Sequence, residues 1–321
     1  MTSHIGSARF GLCCTFAGEE RIRFRTTTVA HLSRMLANDA SGDEGTYAFY
    51  RTLVEHNLRT LLDAMAWCRT HAVHGFRVSS DLWPRATHPV VTGWVEQLFE
   101  DPGIRMLCES VRTFALENDI RLSEHPDQFL VGNSLRDDVV NGTIAELEFR
   151  ARLGALLGTD VICLHVGSGA PDRETALWRW ESTLARLSPA VHQRLAFEND
   201  DRVFAPEDIL PACLAWGLPM VYDAHHHRVL ADDLNEDDAT LLAMASWGDR
   251  EPHFHLSSPR AGWNGSDARP HHDVVDIGDW PAVWSELLAA GVRFTVDIEA
   301  KGKERAILAL RADLLLHLAV V

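Results

Sequence analysis

Short runs rich in β-branched and aromatic residues alternate with longer amphipathic stretches from one end of this chain to the other. The extended runs are ARFGLCC (8–14), FRVSS (76–80), IRLSEH (120–125), DVICLHV (160–166), QRLAFEN (193–199), LPMVYDA (218–224), PHFHLSS (252–258) and VRFTVDIEA (292–300). Between them, helical periodicity runs over 45–72, 104–118, 136–157, 173–187, 206–216, 236–247, 280–290 and 303–318. Strict alternation predicts parallel strands joined by right-handed crossovers. Eight such units predict a closed (β/α)8 TIM barrel, with 1–321 forming a single domain. Helix punctuation agrees, with Pro206 in a first turn and Gly217 just past an end. Two connections exceed the usual two to six residues, 16–44 after the first strand and 257–279 after the seventh, and loops this long are usually functional.

Composition narrows the class. With 46% hydrophobic and 24% charged residues the chain can bury a large core. No apolar run approaches the ~20 residues of a membrane span, and the opening MTSHIGSARFGLCC lacks a basic flank followed by a long apolar stretch. A cytoplasmic location is expected, with no membrane contact and no obligate protein partner evident. The six cysteines include no CxxC pair and read as small apolar residues in a reducing compartment. A net charge of −16 argues against nonspecific nucleic-acid binding unless carboxylates neutralise bound cations. Of 30 basic residues, only Lys301 and Lys303 are lysines, both within EAKGKE, so a compact ammonium is expected to be needed there.

The chemistry concentrates at strand ends. His125, His165, Glu198, Asp223, His255 and Glu299 terminate the third to eighth extended runs. In a barrel all six converge at the C-terminal mouth, where the active sites of this fold lie. A lone histidine there is ordinarily a hydrogen-bonded structural residue. Six consecutive strands ending in histidine or carboxylate predict a metal cluster, because the buried charges would otherwise repel one another. Imidazole and carboxylate without thiolate suit Zn, Mn or Fe. More than four ligands imply more than one ion, and paired ions suit phosphoryl transfer. His226, three beyond Asp223, is expected to return over the mouth. His253 shares a strand face with His255, and His271 lies on the long loop after the seventh strand.

At these residues the sequence resembles the UV damage endonuclease family, related in barrel and metal site to endonuclease IV. The matching segments are FRVSSDLWPRATHP (76–89), SEHPDQF (123–129), CLHVGS (163–168), AFENDDR (196–202), VYDAHH (221–226), HFHLSS (253–258), RPHHDVVD (269–276) and IEAKGKE (298–304). The resemblance implies three divalent ions, Mn²⁺ foremost with Zn²⁺ or Fe as alternatives, cutting damaged double-stranded DNA 5′ of a lesion. It implies that Glu198 bridges two ions, one held also by Asp223, His255 and Glu299 and the other by His125 and His165. His226 and His271 would hold the third. The lesion-probing pair falls on Gln128 and Phe129, Arg77 and Lys303 are expected to touch substrate, and Lys301 joins Glu198 and Glu299 as catalytic. Two positions depart from the family: Leu12 replaces an aromatic expected to contact DNA, and His253 replaces a lysine that is often carbamylated. A neutral imidazole can take the carbamate's place as a ligand, so His253 is expected on a metal.

Two other enzyme classes share the predicted barrel: a metal-dependent sugar isomerase or epimerase, and an iron-dependent modifying enzyme. A non-catalytic binding protein fits poorly, since a costly polar mouth without chemistry lacks a reason.

Overall fold

The computed structural model describes residues 8–126 and 129–318. Its centre is a barrel of eight parallel strands: β1 (Ala8–Cys13), β2 (Gly75–Val78), β3 (Arg121–Glu124), β4 (Val161–His165), β5 (Leu195–Glu198), β6 (Met220–Asp223), β7 (His253–Leu256) and β8 (Phe294–Ile298). Neighbours pair in chain order and β8 closes on β1, with Ala8 opposite Phe294 and Leu12 opposite Ile298. The predicted TIM barrel is therefore the observed fold.

Strand alternation sorts the side chains into two environments. Phe10, Leu12, Phe76, Leu122, Leu164, Phe197, Tyr222, Phe254 and Val296 belong to one large apolar cluster with the surrounding helices. The core thus lies between barrel and helices. Leu12 is fully buried in it, so the position expected to lack a DNA-contacting aromatic faces the helices rather than the mouth. Inside the barrel a small second cluster gathers Val161, Cys163, Ala196 and Val221 against Trp247. The rest of the interior is polar, with Arg77, Glu198, Asp223, His253, His255 and Asp297 all buried.

Two glycines make room for this interior. A Cβ built on Gly11 would stand 1.8 Å from Asp297 Oδ1, and one on Gly75 would stand 2.8 Å from the Gly11 Cα. Both distances are below what any side chain tolerates, so β1 approaches β2 and β8 only as glycine.

Helices Glu44–Thr70, Asp137–Leu157, Pro206–Trp216 and Glu304–Leu318 lie close to the predicted bounds. Gly217 ends the third of these in the left-handed conformation, φ 66°. The expected helix over 173–187 is instead broken into Arg173–Trp178 and Trp180–Leu184. The first long loop is not irregular throughout: Val29–Asn38 is helical, with Thr28 capping the His31 N–H. A helix Ala224–Val229 follows β6 directly, and it carries the histidine run. Among the described residues no helix is long and apolar enough to cross a membrane.

Candidate metal centre

Glu198 ends β5 at the centre of the mouth and is completely buried. Its Oε2 lies 2.8 Å from His125 Nε2 and 3.2 Å from His165 Nε2, and its Oε1 lies 2.8 Å from His255 Nδ1 and 3.4 Å from His226 Nδ1. One carboxylate therefore faces four imidazoles, two on each oxygen. Burial alone would raise its pKa, but the charges of His255 and His165 and the bond from His125 hold it well below the usual carboxylate range.

Backbone carbonyls orient the rings of His125 and His271. His125 Nδ1 lies 3.1 Å from the Pro126 carbonyl, and His271 Nδ1 lies 2.7 Å from the Glu299 carbonyl. A carbonyl only accepts, so in each ring Nδ1 carries a proton, and Nε2 is left either to carry a second proton or to offer its lone pair. For His125 that nitrogen meets a carboxylate oxygen at 2.8 Å. Two acceptors at this distance need a cation between or beside them, either a second ring proton or a metal ion.

Within the ENDD run the two residues after Glu198 have separate structural uses. Asn199 exchanges two hydrogen bonds with the backbone of Asp223, both 2.9 Å, which ties the ends of β5 and β6 together. Asp200 accepts from the N–H groups of Arg202 and Val203 at 2.7 and 2.6 Å and shapes the loop beyond. Asp223 caps the following helix, accepting from His226 N at 2.7 Å, while its Oδ2 is buried without a hydrogen-bond partner. His226 is thereby swung back over the mouth, its ring centroid 5.5 Å from His165 and 6.2 Å from His271. Of its neighbours, His227 points away and bridges Tyr222 and Asp232, whereas His225 packs on Trp263 with its ring centroid 5.2 Å from that of His271 and both ring nitrogens buried without a hydrogen-bond partner.

Ligand atoms within 4.8 Å of one another form four overlapping groups: His125, Cys163, Glu198, His255; His165, Glu198, His226; Asp223, His255, Glu299; and His253, His255, Asp297. His271 stands farther out, at the rim. Burial lowers the pKa of His165, His226 and His255, yet the Glu198 carboxylate, and Asp223 for His226, reverse the effect, so all three are raised. His125 and His253 are lowered, chiefly by burial.

Arg77 is not at the mouth surface. It is 7% exposed, with Nε 2.9 Å from Asp297 Oδ2, Nη1 2.5 Å from Glu299 Oε1 and Nη2 2.9 Å from His255 Nε2. Its guanidinium is consumed by groups beneath the opening, which corrects the expectation of a substrate contact. Phe129 is at the surface, 79% exposed. It borders a cavity of about 380 Å³ beside a second of about 320 Å³ lined by His125 and His165. Gln128 lies outside the described residues. Lys301 is exposed and Lys303 half-buried, and among the described residues neither ammonium forms an ion pair. The last residue of EAKGKE does bind: Glu304 accepts the N–H groups of Ala17 and Gly18 at 2.8 and 2.6 Å, anchoring the loop after β1.

The profile of the UV-endonuclease UvdE family matches residues 8–320. The chain belongs to this family. A UV DNA damage endonuclease of Deinococcus radiodurans is 32% identical over 320 residues, covering 94% of each chain. The solved structure of SacUVDE superposes with a TM-score of 0.78 at 26% identity, covering 98% of this UvdE-family chain and 100% of the other. Endonuclease IV of Thermus thermophilus, at 17% identity, TM-score 0.57 and coverage of 95% and 98%, shares the barrel.

Two residues of the UvdE-family mouth escape sequence reasoning. Cys163 Sγ lies 3.3 Å from Glu198 Oε2, so the expectation of a site without sulfur does not hold for its surroundings. Asp297 pairs with Arg77 and lies 3.3 Å from His253 Nε2. Each stands two residues before a strand-end residue, Cys163 before His165 and Asp297 before Glu299, and the period of two was the available signal.

Proposed function

We propose that the chain is a metal-dependent DNA repair endonuclease that cuts the phosphodiester 5′ of a UV-type lesion in double-stranded DNA, using three divalent ions. Membership of the UvdE family and the name of the Deinococcus relative support the reaction class. The observation that carries the metal dependence is the gathering of four imidazoles, those of His125, His165, His226 and His255, around the one buried carboxylate of Glu198, with Asp223 and Glu299 beside it. The unpartnered Oδ2 of Asp223 supports the same reading, because a buried carboxylate oxygen without a donor is costly unless a cation faces it.

Ions bound there lower the pKa of a water and stabilise charge on the phosphoryl and departing oxygens. Glu198 is suited to bridging, since its two oxygens address different groups of imidazoles. In this reading His125, His165 and Glu198 hold one ion, and Glu198, Asp223, His255 and Glu299 hold another. His226 and His271 reach the third from the rim. His253 enters from below with Asp297. Its ring nitrogens are buried without hydrogen-bond partners, and the Nε2 approach to Asp297 lacks hydrogen-bond alignment. Arg77 holds Glu299, Asp297 and His255 in place. Lys301 and Lys303 reach the phosphates, and Phe129 with Gln128 probes the base stack. Mn²⁺ is the foremost ion, with Zn²⁺ and Fe as alternatives.

The test is nicking of supercoiled plasmid, irradiated or not, by protein loaded with Mn²⁺. Nicks are expected on irradiated plasmid alone and none with Glu198→Gln, whose amide cannot bridge two cations. Equal nicking of both plasmids would remove the lesion from this reading, and full turnover by Glu198→Gln with unchanged metal content would remove Glu198.

A further inference from the structure

We infer that Cys163 ligates the ion held by His125 and Glu198, making that position a mixed imidazole, carboxylate and sulfur site. The inference rests on the metal reading above and adds a ligand that neither the strand-end pattern nor the family resemblance assigns.

The geometry comes from β4. Cys163 precedes His165 by two residues, so both point into the barrel, the cysteine one step deeper. Its sulfur is 3.3 Å from Glu198 Oε2, the same oxygen that His125 and His165 approach. Sγ and the donor atoms of His125, Glu198 and His255 all lie within 4.8 Å of one another. The set surrounds the Glu198 carboxylate, with His125 and Cys163 on Oε2 and His255 on Oε1, the sulfur coming from the floor. Independently, Asp223, in a group that shares His255 with this one, turns a buried and unpartnered Oδ2 into the same mouth.

The other side of the cysteine is dry. Val161, Ala196, Val221 and Trp247 surround it, so water does not compete for the sulfur from below. The remaining cysteines are placed differently. Cys68, Cys108 and Cys213 pack in the apolar layer around the barrel, and Cys13 and Cys14 approach the carbonyls of Ile298 and Val78. Among the described residues only Cys163 joins a group of potential metal ligands.

Ligation exchanges the S–H proton for the ion and releases that proton to solvent, with no change of oxidation state. Burial and the Glu198 charge by themselves push the thiol up. A dication inverts that balance, and a coordinating thiol is deprotonated outright. Sulfur also changes ion preference, since thiolate favours Zn²⁺ or Fe and weakens the claim of Mn²⁺ on this one position.

The experiment is zinc-edge X-ray absorption on zinc-loaded wild type, Cys163→Ser and Cys163→Ala. The expected result is a sulfur shell at ~2.3 Å beside nitrogen and oxygen at ~2.0–2.1 Å in the wild type, with the sulfur shell lost in both variants. Zinc bound in a shell of nitrogen and oxygen alone overturns this inference and leaves the metal reading standing. Failure of the wild type to retain zinc, cobalt or manganese overturns both. Cobalt-loaded wild type gives a second measurement that needs no variant. A near-ultraviolet sulfur-to-cobalt charge-transfer band supports the ligand, whereas visible ligand-field bands without it overturn the ligand.

Discussion

Asp223 serves His226 twice over: its Oδ1 accepts the His226 backbone N–H at 2.7 Å, and its Oδ2 lies 3.6 Å from the His226 ring. One carboxylate thus starts the helix and faces the proposed metal site, and the two roles can be separated. In Asp223→Asn the amide oxygen still caps, but a neutral group replaces the free carboxylate oxygen. The variant should keep its fold and lose bound metal. Asp223→Ala should lose metal and also about 0.5–2 kcal/mol of stability with the cap. Metal analysis beside chemical denaturation checks both, and Asp223→Asn with full metal content would take Asp223 out of the ligand set.

Phe129 presents a bare ring to solvent at a cavity beside the one lined by His125. A stacked base is worth about 1–3 kcal/mol to such a platform. Phe129→Ala should weaken binding to irradiated duplex by that amount with unchanged metal content. Filter binding or fluorescence anisotropy with irradiated and intact duplexes measures it. An unaltered affinity for damaged DNA would mean that Phe129 does not touch the stack.

The pH dependence of metal loading follows from the imidazoles. In His165, His226 and His255 the carboxylates outweigh burial and raise the pKa above the ~6.5 of a free ring. The protonated forms are favoured in the folded protein as pH falls through those raised values. Below them an arriving ion must expel protons, so apparent affinity should drop on going from ~pH 8 to ~pH 6. Competition titrations with a chromophoric chelator follow this directly. Identical affinities at the two pH values would show that these three rings are not titrating ligands.

His253 offers a crystallographic prediction. In metal-loaded crystals, anomalous scattering should place an ion within ~2.3 Å of a His253 ring nitrogen. If every ion lies well beyond that, His253 pairs with Asp297 and holds no metal, and His253→Ala should retain all its ions.

The barrel and the convergence of the strand-end residues at its mouth were legible for one reason: a strand that ends in histidine or carboxylate carries its own position in the fold. His125, His165, Glu198, Asp223, His255 and Glu299 needed no knowledge of distant contacts. Arg77 did. An arginine on a strand reads equally as a surface contact or a buried counter-charge, and only the approach of β8 to β2, set by Gly11 and Gly75, decides between them. Cys163 was read by its usual apolar character, which describes its dry side and not the side facing Glu198. The helix from Ala224 was hidden because three consecutive histidines have no amphipathic period, and its start depends on the Asp223 cap.

Gly11 and Asp297 are a single choice made at two places in the chain. Because the missing methyl at Gly11 is the space that Asp297 Oδ1 occupies, a library randomised at position 11 alone should return glycine and nothing else. Opening position 297 at the same time to residues shorter than aspartate removes the side-chain clash and leaves the backbone Cα of 297 at a tight 3.3 Å, at the cost of the partner that Arg77 now holds. Redesign of this mouth from below therefore begins with that pair. Changes confined to the rim loops leave it untouched.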